Sequence, residues 1–64
     1  MSTAVAEIDY DEYSETLRVR FTDGRRYAYW NVPPEVYAAL LYASSAGGYF
    51  NANVRNAGYS YKQE

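Results

Sequence analysis

Apolar and polar positions alternate twice in the first third of the chain. Over residues 4–10, Ala6, Ile8 and Tyr10 face one way and Val5, Glu7 and Asp9 the other; over 16–21, Leu17, Val19 and Phe21 oppose Arg18 and Arg20. A period of two is that of a half-buried strand. Asp23-Gly24 then marks a hairpin, because glycine takes positive φ without steric cost, and a β-rich run over 26–32 with Tyr27, Tyr29 and Trp30 follows it. Pro33-Pro34 ends the sheet by removing ladder donors, and Pro34 with Glu35 suits the first turn of a helix. From Pro33 or Pro34 to about residue 44, Val36, Tyr37, Leu40, Leu41 and Ala43 form an apolar stripe wide enough to cover one face of a sheet. Gly47-Gly48 breaks that pattern. Phe50 and Val54, one helical turn apart within 49–55, predict a second short helix that closes the core edge. The tail after residue 57, with Tyr59 and Tyr61, is expected to be extended or frayed. No repeat or linker intervenes, so residues 1–64 read as a single α+β domain: a three-stranded antiparallel meander, one helix, and a second short helix packed on one face.

Composition sharpens this picture in two ways. Valine, leucine, isoleucine and phenylalanine together supply only eleven of 64 residues, a poor core for a chain that buries about 60% of its unfolded surface. Nine tyrosines and Trp30 make up the difference, since each aromatic buries roughly 150–250 Å² and keeps a polar tip. Nine tyrosines exceed what so small a core hides, so some are expected to meet a partner, and self-association as a dimer or tetramer is the expected use. The chain has no cysteine and no histidine, which removes disulfides, thiolate zinc sites and Ser/His or Cys/His catalysis. No apolar run approaches the ~20 residues of a membrane span, and Met1-Ser2-Thr3-Ala4 does not look like a signal sequence, so a cytoplasmic location is the default expectation.

The net charge is only −2, but the charges are segregated. Glu7, Asp9, Asp11, Glu12 and Glu15 come first, and Arg18, Arg20, Arg25 and Arg26 follow. The acidic group matches no calcium loop and reads as a solvated strand edge, so no metal site is expected. Arg18 and Arg20, two apart on a strand, must share a face. A two-residue turn at Asp23-Gly24 would set Tyr27 and Tyr29 across from them, whereas a three-residue turn with a glycine bulge would set Arg26, Ala28 and Trp30 there instead. Guanidinium forks grip phosphate and aromatic faces stack bases, so either register suits a nucleotide or single strand. The same pattern also fits a solvated outer face with arginines packed over tyrosines. A second candidate is the run from Ser44 to Gly48, where helix-opening N–H groups could receive an anion, with Asn51 and Arg55 further along; Ser45 there equally fits a plain N-cap.

Several strings, taken in order, resemble the KTSC domain. They are Ile8-x-Tyr10-Asp11, Leu17-x-Val19-x-Phe21, Gly24-x-x-Tyr27-x-Tyr29-x-x-Val32-Pro33, Val36-Tyr37-x-x-Leu40, and Ser45-x-Gly47-x-Tyr49-Phe50-Asn51-x-x-Val54-Arg55. The resemblance runs from about residue 4 to residue 59. The family takes its name from its occurrence as a C-terminal extension of some lysyl-tRNA synthetases, so the resemblance implies a fold and a nucleic-acid association, with no reaction and no cofactor. Members tend to be more basic after the position of Arg55, whereas here only Lys62 follows.

The sequence therefore reads as a non-enzymatic binding module for a phosphate- and base-containing ligand, an RNA segment or a small nucleotide. A phage-encoded copy would have a natural use in sequestering a nucleotide signal. Its site residues are expected among Arg18, Arg20, Arg26, Tyr27, Tyr29, Trp30, Ser45, Asn51 and Arg55. The small net charge favours a compact ligand over long nucleic acid. The alternative is a protein-interaction or homo-oligomerisation module that uses exposed tyrosines.

Overall fold

The computed structural model describes residues 5–64; Ala4, where the first strand is expected to begin, lies outside them. Strand β1 (Val5–Asp11) pairs antiparallel with β2 (Thr16–Phe21), which pairs with β3 (Arg26–Tyr29). As the alternation predicts, Leu17, Val19 and Phe21 are buried while Arg18 and Arg20 point to the opposite face. The turn after β2 decides the register that the sequence leaves open. Gly24 sits at φ +92 and donates its N–H to the Phe21 carbonyl at 2.9 Å, and Phe21 donates to the Arg25 carbonyl at 2.9 Å. This is the longer turn with a glycine bulge, and it sets Arg20 opposite Arg26, Arg18 opposite Ala28, Val19 opposite Tyr27 and Leu17 opposite Tyr29.

β3 ends at Tyr29, short of the expected residue 32. Asn31 adopts a left-handed φ of 60, and Val32 then donates its N–H to the Glu15 carbonyl at 2.9 Å. The turned chain drops the Val32 side chain fully into the core, directly before the proline pair. The carbonyl of Val32 accepts the Tyr10 hydroxyl at 2.6 Å, and the Tyr10 ring stacks on Tyr37 with centroids 4.8 Å apart.

Helix α1 (Pro34–Tyr42) starts at the proline pair as the sequence predicts and stops two residues before position 44. Of its expected stripe only Leu40 is fully buried; Val36, Tyr37 and Ala43 are half-buried, and Leu41 is 52% exposed. Helix α2 (Ala46–Asn53) begins three residues earlier than expected. Gly47 and Gly48 belong to its first turn, and the break falls at residues 43–45. A side chain at Gly48 would meet the Ser45 hydroxyl at 3.1 Å, and in its absence the Gly48 N–H donates to that hydroxyl at 3.2 Å. Arg55, expected within the second helix, instead opens a separate 3-10 turn (Arg55–Ala57).

Gly58, at φ 89, reverses the chain after that turn. Tyr61–Gln63 then forms a fourth strand, β4, antiparallel to β3, with Tyr61 opposite Tyr29. The tail is thus extended, and it completes a sheet of order β1-β2-β3-β4. Without it the ladder groups on the outer side of β3 would be unpaired. Both helices cover one face of this sheet. Phe50 and Val54 from α2 and its end, with Leu40 from α1, meet Leu17, Val19, Phe21, Tyr29 and Val32 in one core. Among the described residues, no helix is long and apolar enough to cross a membrane.

Candidate functional site

The settled register divides the expected site between two faces. Arg18, Arg20 and Arg26 share the outer face with Ala28 and Lys62, and Trp30, one residue past β3, bonded through its N–H to the Ser60 carbonyl and 38% exposed, continues the alternation onto it. Tyr27 and Tyr29 lie on the helix side and are not beside those arginines, so Trp30 is the aromatic residue of the outer face. Arg55 lies on the opposite side of the sheet from Arg18 and Arg20, so these arginines do not share one site.

On the outer face two of the three arginines have carboxylate partners. Arg20 meets Glu7 at 3.1 Å, and Arg18 reaches over β3 to Glu64 at 3.5 Å. Ala28, whose cross-strand neighbours are the long side chains of Arg18 and Lys62, is only 2% exposed on this otherwise open face. Exposed ion pairs of this kind contribute about 0–1 kcal/mol each. Among the described residues no three carboxylates gather where a metal ion could be held.

The helix side is different. A cleft of about 240 Å³ opens between the β2–β3 turn, the end of α2 with its 3-10 turn, and β4. Phe21 and Phe50 form its floor, Tyr27, Tyr29 and Tyr61 its aromatic wall, and Arg25, Arg55, Asn51 and Asn56 its polar rim. Four expected residues, Tyr27, Tyr29, Asn51 and Arg55, thus converge here. Ser45 does not; its hydroxyl is used as the N-cap of α2. Arg25, Asn56 and Tyr61 are additions that sequence reasoning missed. The alternation of Tyr59 and Tyr61 was a faint strand signal for the last of them.

The rings are arranged in a column. Phe50 meets Tyr29 edge-on at 5.4 Å and 79°, and Tyr61 stacks on Tyr29 at 5.4 Å and 28°. Such contacts contribute about 0.5–1.5 kcal/mol each beyond area burial, so the wall is firm. Arg25 is held by Asp23 at 3.2 Å. Arg55 has no carboxylate partner among the described residues, and it is the one cleft cation in that position.

Burial pushes the Tyr29 phenol above its ordinary value of 10.0; the Tyr27 and Tyr61 phenols add to the rise, and the Arg55 guanidinium opposes it. Tyr10 is raised as well, first by burial and then by Glu15, Glu35, Glu12 and Asp11. Each phenol keeps its proton in the folded chain at a pH where the unfolded chain has lost it. The resulting stability is complete below about pH 10 and is lost as pH rises through the folded values. Urea midpoints followed by circular dichroism should therefore fall above about pH 10 as tyrosines ionise. Midpoints that rise there would reverse the sign.

Comparison with known proteins agrees with the fold and names the family. The KTSC domain family model matches residues 1–59. A protein of Tsukamurella paurometabola is 43% identical over 54 residues, spanning 84% of this chain and 81% of the relative. An uncharacterized protein of Stutzerimonas stutzeri is 40% identical over 60 residues, spanning 94% and 84%. A lysine–tRNA ligase of Nostoc punctiforme is 32% identical over 53 residues, which are 83% of this chain but 9% of that protein. The crystal structure of a KTSC domain protein from Yersinia pestis superposes with a TM-score of 0.83 at 25% identity, covering all of this chain and 89% of the other. With the four-stranded sheet, the two helices and these matches in agreement, this chain belongs to the KTSC domain family.

Proposed function

We propose that this domain is a non-enzymatic binding module whose ligand carries both a phosphate and a base, an RNA segment or a small nucleotide, and that the ligand enters the helix-side cleft. The observation that carries this reading is the meeting of an unpaired guanidinium, Arg55, with the aromatic wall of Tyr27, Tyr29 and Tyr61 in one concavity. The fork of Arg55 suits a phosphate in two-point contact, and the rings offer stacking surface that tolerates any base. The asparagines on the rim can each donate and accept a hydrogen bond. The matching segment in a lysine–tRNA ligase supports a setting among nucleotides and RNA. The outer face supports the reading less, since Arg18 and Arg20 already have carboxylate partners.

Arg55→Ala should weaken binding of ribonucleotides or short RNA by about 1–3 kcal/mol, the size of a charge-assisted hydrogen bond. The double variant Arg18→Ala, Arg20→Ala should change it far less. Isothermal titration of the three proteins decides the matter, and the opposite ranking would move the site to the outer face. The rival reading, a protein-interaction or self-association module, draws on Tyr42 and Leu41 of α1, which are 88% and 52% exposed. Phosphate binding weakens as salt rises and an apolar tyrosine contact does not, so titration at two salt concentrations separates the two.

A further inference from the structure

Resting on the reading just given, we infer that the cleft takes one nucleotide at a time, its base on the exposed ring of Tyr61 and its phosphate on Arg55. Three observations lead there. The first is size. Small-molecule sites usually measure about 300–1,000 Å³, and a cleft of about 240 Å³ is on the scale of a single small ligand and not of an extended strand.

The second is the unfinished ring column. Phe50 supports Tyr29, and Tyr29 covers one face of Tyr61; Tyr27, tilted at 59° and 6.2 Å away, borders it. Tyr61 nevertheless remains 60% exposed. An exposed ring held in place by a buried neighbour is a ready platform, with little side-chain freedom left to lose when a base lies on it.

The third is charge. Arg25 is tied to Asp23, which leaves Arg55 as the one uncompensated cation of the cleft among the described residues. One guanidinium fork matches one phosphate. A strand-binding groove instead needs a succession of cations along the backbone, and beyond Arg55 the rim is continued by the neutral Asn51 and Asn56.

The test compares a ribonucleoside, its 5′-monophosphate and a 5′-phosphorylated octaribonucleotide by isothermal titration at 50 and 200 mM salt. The monophosphate should bind at least about tenfold more tightly than the nucleoside, as expected of a phosphate held by a charge-assisted bond. The octamer should gain no more than about the eightfold of its statistical advantage, with a salt dependence of about one phosphate in place of the several that a bound strand would show. Tyr61→Leu should weaken monophosphate binding by about 5- to 100-fold, the range of base stacking, while Tyr61→Phe should bind nearly as wild type. An octamer binding more than about 100-fold tighter, with a slope of several phosphates, would overturn the single-nucleotide inference and leave the phosphate-and-base reading standing. Equal binding by Tyr61→Leu and wild type would overturn the stacking assignment. If neither monophosphate nor octamer binds, both readings fall.

Discussion

Phe50→Ala should lower folding stability by about 3–5 kcal/mol, the usual cost of emptying a buried phenylalanine site. At about 0.05–0.15 kcal/mol per residue, a domain of this size has a total stability of about 3–10 kcal/mol, so the variant should lose a large part of it. Phe50 is 1% exposed and meets two rings edge-on, Phe21 at 5.3 Å and Tyr29 at 5.4 Å. It therefore joins α2 to β2 and β3 at once. The void could be filled only by moving helix or sheet, and the stacked Tyr29–Tyr61 pair above would lose its support. Urea unfolding followed by far-ultraviolet circular dichroism measures the change. A loss below about 1 kcal/mol would show that the site collapses freely and that α2 is not anchored through this ring.

The same ring shows where sequence reasoning stops. Its burial was legible, since Phe50 and Val54 stand one helical turn apart and β2 alternates cleanly. The face of Tyr27 and Tyr29 was not. Alternation places residues on two faces but does not say which residue of the next strand lies opposite, and that choice rested on whether Gly24 sits in a two-residue turn or at a bulge. The left-handed Gly24 selected the bulge and shifted every β3 side chain to the other face. This one step separated Arg18 and Arg20 from the tyrosines that a two-residue turn would set beside them. It also put Tyr27 and Tyr29 within reach of Arg55.

β4 was hidden for a different reason. Three residues, two of them Lys62 and Gln63, carry almost no strand signal of their own. The strand exists because β3 offers an open ladder and Tyr29 offers a ring for Tyr61 to stack on. Convergence of Arg25, Arg55 and Asn56 likewise belongs to the folded arrangement and to no local pattern. Ser45 was legible both as a cap and as part of an anion site; the Gly48 N–H that an anion would need is already bonded to the Ser45 hydroxyl.

Leu40→Ala should cost about 2–5 kcal/mol, while Leu41→Ala, one residue along the same helix, should change stability by no more than about 0.5 kcal/mol. Both leucines fit the apolar stripe over 34–44, and periodicity does not rank them. The structure does, with Leu40 at 1% exposure and Leu41 at 52%. The difference follows from the entry of α1. The Tyr10–Tyr37 stack and the turned Val32 fix the start of the helix against the sheet. Advancing three residues from Tyr37 brings Leu40 back onto the core side, and the next step rotates Leu41 about 100° away, toward solvent. Helix propensity cannot account for a difference between the two variants, because each exchanges leucine for alanine within α1. Parallel urea titrations of the two proteins supply the comparison. Equal losses would mean that the stripe is buried across both positions, as its pattern alone implies, and that a partner or second copy covers Leu41 in solution.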